Sequence, residues 1–89
     1  MDDLLTNADF LRIALAAAAE FGLPSDCVYV DTRHGSPEIV DYPVVSFTLG
    51  NCEQSMGFRD YMYENVVSTM CREMVKDLLS HFVRTGGAL

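Results

Sequence analysis

The stretch CVYVDTRHGSPEIVDYPVVSFTL, residues 27–49, decides how this chain folds. Val28, Tyr29, Val30 and Thr32 are β-branched or aromatic and suit a pleated surface, so Cys27 to Arg33 reads as a strand. Pro43 to Leu49 reads as a second, with Val45, Phe47 and Leu49 on one face and Val44, Ser46 and Thr48 on the other. His34-Gly35-Ser36-Pro37 is a turn by composition, and Glu38 to Tyr42 either joins the connection or lengthens the second strand. The two strands form an antiparallel hairpin, with Pro43 confined to an edge or a strand start because it has no N–H to donate. Gly50-Asn51 then turns or bulges the chain into a loop or a short further strand. A hairpin alone buries too little, so this one needs helices to cover it.

The sequence supplies one helix on each side. Before the hairpin, Thr6 with Asp9 three residues later resembles a capping box, Asp standing in for the usual Glu, and Asp2 or Asp3 offers an alternative cap one turn earlier. Leu4, Ala8, Leu11, Leu15 and Ala18 recur at helical spacing, flanked by Phe10, Ala14 and Phe21. Gly22, Leu23 and Pro24 form a stop: a residue free to turn left-handed, an apolar one to fold back, and one that cannot continue a helix. After the hairpin, Phe58 to Arg84 reads as a long helix ended by Gly86-Gly87. Tyr63, Val67, Met70, Cys71, Met74, Val75, Leu78 and Phe82 cover one arc of it, while Asn65, Thr69, Glu73, Lys76, Ser80 and Arg84 cover the other. His81 falls at the border of the apolar arc and reads as a packed residue.

The expected fold is therefore α+β, of order α-β-β-α, with two helices on one face of a small antiparallel sheet of two or three strands. Eighty-nine residues make one domain, residues 1–89. The alanines of the first helix allow the second to approach closely. A sheet extended across a twofold axis is the alternative arrangement, and an apolar content of 49% is rich enough for some of it to be covered by a second subunit.

Charge is spread unevenly. The whole net charge of −7 lies in residues 1–54, while residues 55–89 are neutral, four acids meeting four bases. Such a field selects basic partners and repels nucleic acid and anionic membrane. Six basic residues without a cluster argue against direct nucleic-acid binding. The longest apolar run, Ile13 to Ala19, is too short to span a bilayer, and Asp2 and Asp3 stand where an export signal needs positive charge. Three cysteines, Cys27, Cys52 and Cys71, share no C-x-x-C spacing and read as reduced thiols of a cytoplasmic protein.

No residue set argues for catalysis, a metal or a cofactor. His34 has Asp31, Glu38 and Asp41 near it in sequence, but nothing fixes a second ligand, and a solvated turn histidine is the simpler reading. A nucleophilic cysteine needs a base and an electropositive setting, the reverse of the surroundings of Cys27 and Cys52. The glycines are isolated or follow a helix, so no phosphate loop is present. Met62, Met70 and Met74 with Phe58, Tyr61 and Tyr63 either close the core or anchor a partner.

The expectation is a non-enzymatic interaction protein whose acidic hairpin and first helix engage a basic surface of another protein, one that itself binds nucleic acid, with Asp26, Asp31, Glu38 and Asp41 as the candidate residues and Glu53 in support. Carboxylates on a rigid scaffold can occupy arginine and lysine sites that normally hold phosphates. In size and acidity the chain is similar to small inhibitors encoded by phages and mobile elements, including anti-CRISPR proteins and DNA mimics; the likeness is one of profile and carries over no residue. The alternative is a self-associating structural or adaptor subunit, a homodimer held by apolar surface of the C-terminal helix.

Overall fold

The computed structural model describes residues 5–33, 41–58 and 63–87. Helix α1 (Asn7–Glu20) is followed by a short 3-10 turn (Ser25–Cys27), strands β1 (Val28–Arg33), β2 (Tyr42–Leu49) and β3 (Cys52–Gly57), and helix α2 (Glu64–Arg84). The strands form one antiparallel sheet in the order β1-β2-β3. This is the expected α+β arrangement, and the residues after Gly50-Asn51 form a third strand. Gly50 has a φ of +61° at the first position of the two-residue turn between paired Leu49 and Cys52, where a type II′ hairpin wants glycine.

Local signals account for the helix ends. Thr6 and Asp9 form the capping box: the Asp9 N–H donates to Thr6 Oγ1 at 3.2 Å, and the Thr6 N–H donates to Asp9 Oδ2 at 2.9 Å. At the other end Gly22 turns left-handed at φ +78°, and the Leu23 N–H returns to the Ala18 carbonyl at 3.0 Å. Gly86 and Gly87 repeat that geometry after α2, the Gly87 N–H donating to the Phe82 carbonyl at 2.9 Å.

The two helices cover one face of the sheet. Phe10, Ile13, Ala14, Ala17 and Ala18 of α1 join Val67, Cys71, Met74, Val75 and Leu78 of α2 over Val28, Val45, Phe47, Cys52 and Phe58. The buried face of α1 differs from the expected leucine stripe: Ala8 and Leu11 are exposed and Leu15 is half-buried. Phe10 and Ile13 carry the bulk that fills the space over the sheet, and the alanines beside them let the helix sit close. Leucine spacing alone does not reveal that rotation.

The start of α2 also differs. Helical spacing places Phe58 inside the helix, but its N–H donates to the Pro43 carbonyl at 2.8 Å, extending the β2–β3 pairing. Its ring is buried 5.6 Å from that of Phe10, so burial under α1 wins over helical periodicity. Tyr63, expected on the apolar arc, is the N-cap of α2 and 78% exposed. Tyr61 and Met62 lie outside the described residues.

Arg12 reaches Glu64 and Arg72 reaches Glu20. Partners eight residues apart on each helix mean that α1 and α2 run in the same direction. Because α1 ends at Glu20, the part of α2 beyond Arg72 continues past it.

Candidate functional site

Strand pairing fixes which backbone groups point where. Pro43 has no N–H and its carbonyl accepts from Phe58, so Pro43, Val45, Phe47 and Leu49 turn their backbone groups toward β3. Val44, Ser46 and Thr48 therefore pair toward β1, and their side chains occupy the sheet face opposite α1 and α2. Tyr29, Asp31 and Arg33 of β1, Tyr42 of β2, and Glu53, Ser55 and Gly57 of β3 share that face by register.

This uncovered face is partly self-packed. The Tyr29 hydroxyl crosses β2 and donates to Glu53 Oε2 at 2.6 Å. Ser46, opposite Tyr29 in register, is only 3% exposed and its Oγ lies 2.8 Å from Ser55 Oγ. The Tyr42 ring lies where a side chain at Gly57 would project. Hydrogen bonding to the Glu53 carboxylate pushes the Tyr29 hydroxyl above the ordinary tyrosine pKa, so it stays protonated and donating.

The fold separates the carboxylates expected to form one site. Asp31 and Glu53 lie on the uncovered face, Asp31 opposite Val44 and Glu53 opposite Thr48. Four residues along the strands and two strands across separate them by roughly 17 Å, too far to share one cation. Asp26 is exposed in the turn before β1, and Asp41 is exposed just before β2. Glu38 and His34 lie outside the described residues. Asp31 also acts locally, because its Oδ1 accepts the Thr32 N–H at 2.8 Å, an N–H that faces away from β2.

The helical flank treats its acids differently. Asp9 lies 3.7 Å from Arg12, whose fork holds both oxygens of Glu64 at 3.0 and 3.2 Å. Glu20 lies 3.7 Å from Arg72, and Glu73 lies 3.4 Å from Lys76. Arg12 holds the Glu64 carboxyl below its ordinary pKa, and hydrogen bonds from Thr6, more than Arg12, do the same for Asp9. Among the described residues, Asp26, Asp31 and Glu53 form no ion pair.

A second feature is not legible in the sequence. Glu53 and Gln54 of β3 face Asp77, Ser80, His81 and Arg84 of α2 across a polar groove. His81, expected to be packed, is exposed there. Its helical position puts it at the border of the apolar arc, and only the placement of β3 decides which side of that border is wet.

The thiols offer little chemistry. Cys52 and Cys71 are buried and Cys27 is half-buried, all unpaired. Burial raises the Cys71 pKa to about 11, and burial with the neighbouring Asp26 raises that of Cys27, so both disfavour thiolate. Among the described residues no three His, Cys, Asp or Glu side chains gather as metal ligands would, and no helix is long and apolar enough to cross a membrane. Comparison with protein families, with curated proteins and with solved structures yields no match to this chain.

Proposed function

We propose that this protein is a non-enzymatic interaction protein that docks its sheet side on a basic surface of another protein, one whose surface normally holds nucleic acid. The reading is supported by the partition of the carboxylates. Asp9, Glu20, Glu64 and Glu73 on the helices end on Arg12, Arg72 and Lys76, with Asp77 of α2 the exception, whereas Asp26, Asp31 and Glu53 end on no cation among the described residues. They stand on or beside a sheet, where spacing is held rigidly and little entropy is lost on docking. Inhibition follows from occupancy: a partner whose arginines and lysines are engaged by carboxylates has none for phosphate. In size and acidity the chain is similar to small inhibitors encoded by phages, DNA mimics among them.

The immobilised protein is expected to retain basic, nucleic-acid-binding proteins from a cell extract at low salt and to release them as ionic strength rises. Duplex DNA competes for them, and Asp31→Lys weakens retention. Binding that ignores salt and DNA overturns the reading.

One observation favours the second reading, a homodimer. Beyond the end of α1, Leu79 and Val83 line a shallow depression on α2, and Val83 is 53% exposed. A mass that doubles with concentration in light scattering, and is lost in Val83→Glu, supports that alternative.

A further inference from the structure

The two edges of the sheet are finished differently. On β1 the outward-facing residues are Val28, Val30 and Thr32. The Val28 N–H is taken by the Ser25 carbonyl, and the Thr32 N–H by the Asp31 carboxylate. Only Val30 keeps an outward N–H without a partner among the described residues, so this edge is blunted against a further strand. On β3 the outward residues are Glu53, Ser55 and Gly57, all exposed, and none of their N–H or C=O groups has a partner among the described residues. Beside Glu53 and Gln54, at the start of this edge, lies the groove to α2, walled by Asp77, Ser80, His81 and Arg84. A strand edge next to a helix, with the ladder open, is the geometry that accepts an extended peptide.

We infer that β3 is a docking edge for an extended, basic segment of a partner protein, which adds as a fourth strand along Glu53, Ser55 and Gly57. The inference deepens the function proposed above and rests on it. Backbone groups of the incoming segment satisfy the open ladder of β3. Alternate side chains point over the uncovered face, beside Glu53, and into the groove, beside Asp77. Glu53 and Asp77 form no ion pair among the described residues, so a lysine or arginine at those positions gains a partner; Arg84 narrows the choice at one end of the groove. A second copy of this chain is disfavoured as the occupant, because it would bring another net −7 to the same edge.

The probe is a synthetic heptapeptide of valine and lysine with lysines in both alternate sets of positions, acetylated and amidated, titrated at low salt while amide exchange is followed by NMR. Two further peptides carry N-methyl groups on one or the other alternate set of residues. Strand addition uses only one set of N–H groups, so one methylated peptide is expected to lose about tenfold or more in affinity while the other keeps it. Exchange slows at Glu53, Ser55 and Gly57 and is unchanged at Val30. Ser55→Pro removes an outward N–H together with the Ser46 hydroxyl contact but no backbone bond of the β2–β3 ladder, and it lowers peptide affinity relative to Ser55→Ala, which removes the hydroxyl contact alone.

Binding without a methylation phase, and without slowed exchange on β3, overturns the docking edge but leaves the acidic-surface reading standing. Absence of peptide binding also overturns the edge, and the salt-dependent capture then decides the broader reading by itself. Exchange that slows on β3 without peptide, as protein concentration rises, assigns the edge to a second copy and overturns the inference.

Discussion

The helical flank and the sheet flank use the same residue types to different ends. Asp9, Glu20, Glu64 and Glu73 each stand beside an arginine or lysine, and the Arg12–Glu64 contact ties α1 to the first turn of α2. Asp31 and Glu53 instead touch a backbone N–H and a tyrosine hydroxyl, neutral donors that orient a carboxylate without cancelling its charge. Net charge alone therefore does not define a surface. What counts is where the internal counter-ions are placed, and here they stand on and between the helices.

The sharpest break in this comparison runs through adjacent residues of β2. Phe47 points at the helices and is fully buried, while Ser46 points the other way beneath Tyr29. Phe47→Ala is expected to lose about 3–5 kcal/mol, close to the whole stability of so small a domain, read by urea denaturation. Ser46→Ala removes the Ser55 contact and is expected to lose about 1 kcal/mol. Equal losses would mean that both faces are equally packed, and the uncovered face would cease to be a candidate surface.

On the helical flank, Thr6→Ala removes half of the capping box and is expected to lower stability by about 1 kcal/mol. Acid sharpens the same contrast. Arg12 holds the Glu64 carboxyl, and the Thr6 hydrogen bonds hold that of Asp9, below their ordinary pKa values, so their contribution is present above the ordinary carboxylate range and disappears as pH falls through the lowered values. The melting temperature of Arg12→Gln is therefore expected to lie below that of the parent at neutral pH and to converge with it in strong acid. A gap that persists in strong acid would show that Arg12 acts through packing instead of charge.

The smallest expected change in stability is the most telling for function. Asp31→Lys and Glu20→Lys make the same charge change on opposite flanks, each altering stability by about 0.5 kcal/mol or less. Only Asp31→Lys is expected to weaken binding to a basic partner, measured by calorimetry at two salt concentrations. Equal weakening by both would mean that the partner senses overall charge and not a flank.

Much of the fold is legible in the chain itself. The capping box, the Gly22-Leu23-Pro24 stop and the alternation of residues 43–49 are local signals, each set by a few neighbouring residues. The rotation of α1 about its axis, the exclusion of Phe58 from α2 and the choice of a third strand over a loop are not legible, because each depends on what lies across the fold. The site divides in the same way. Exposure of Asp26, Asp31, Asp41 and Glu53 follows from their polarity, whereas Tyr29 as the bridge to Glu53 and the groove beside β3 arise only when three strands and a helix are set side by side.

By itself, then, the sequence determined the α+β order, the stop of α1, the hairpin pairing and a net negative charge confined to residues 1–54, since these depend on propensity, periodicity and count. The tertiary structure alone decided which carboxylates meet a cation, which face of the sheet stays open, and which of its two edges is left without a cap. Those outcomes require distances between residues far apart in the chain, such as Arg12 and Glu64 or Tyr29 and Glu53, and no local pattern encodes a distance of that kind.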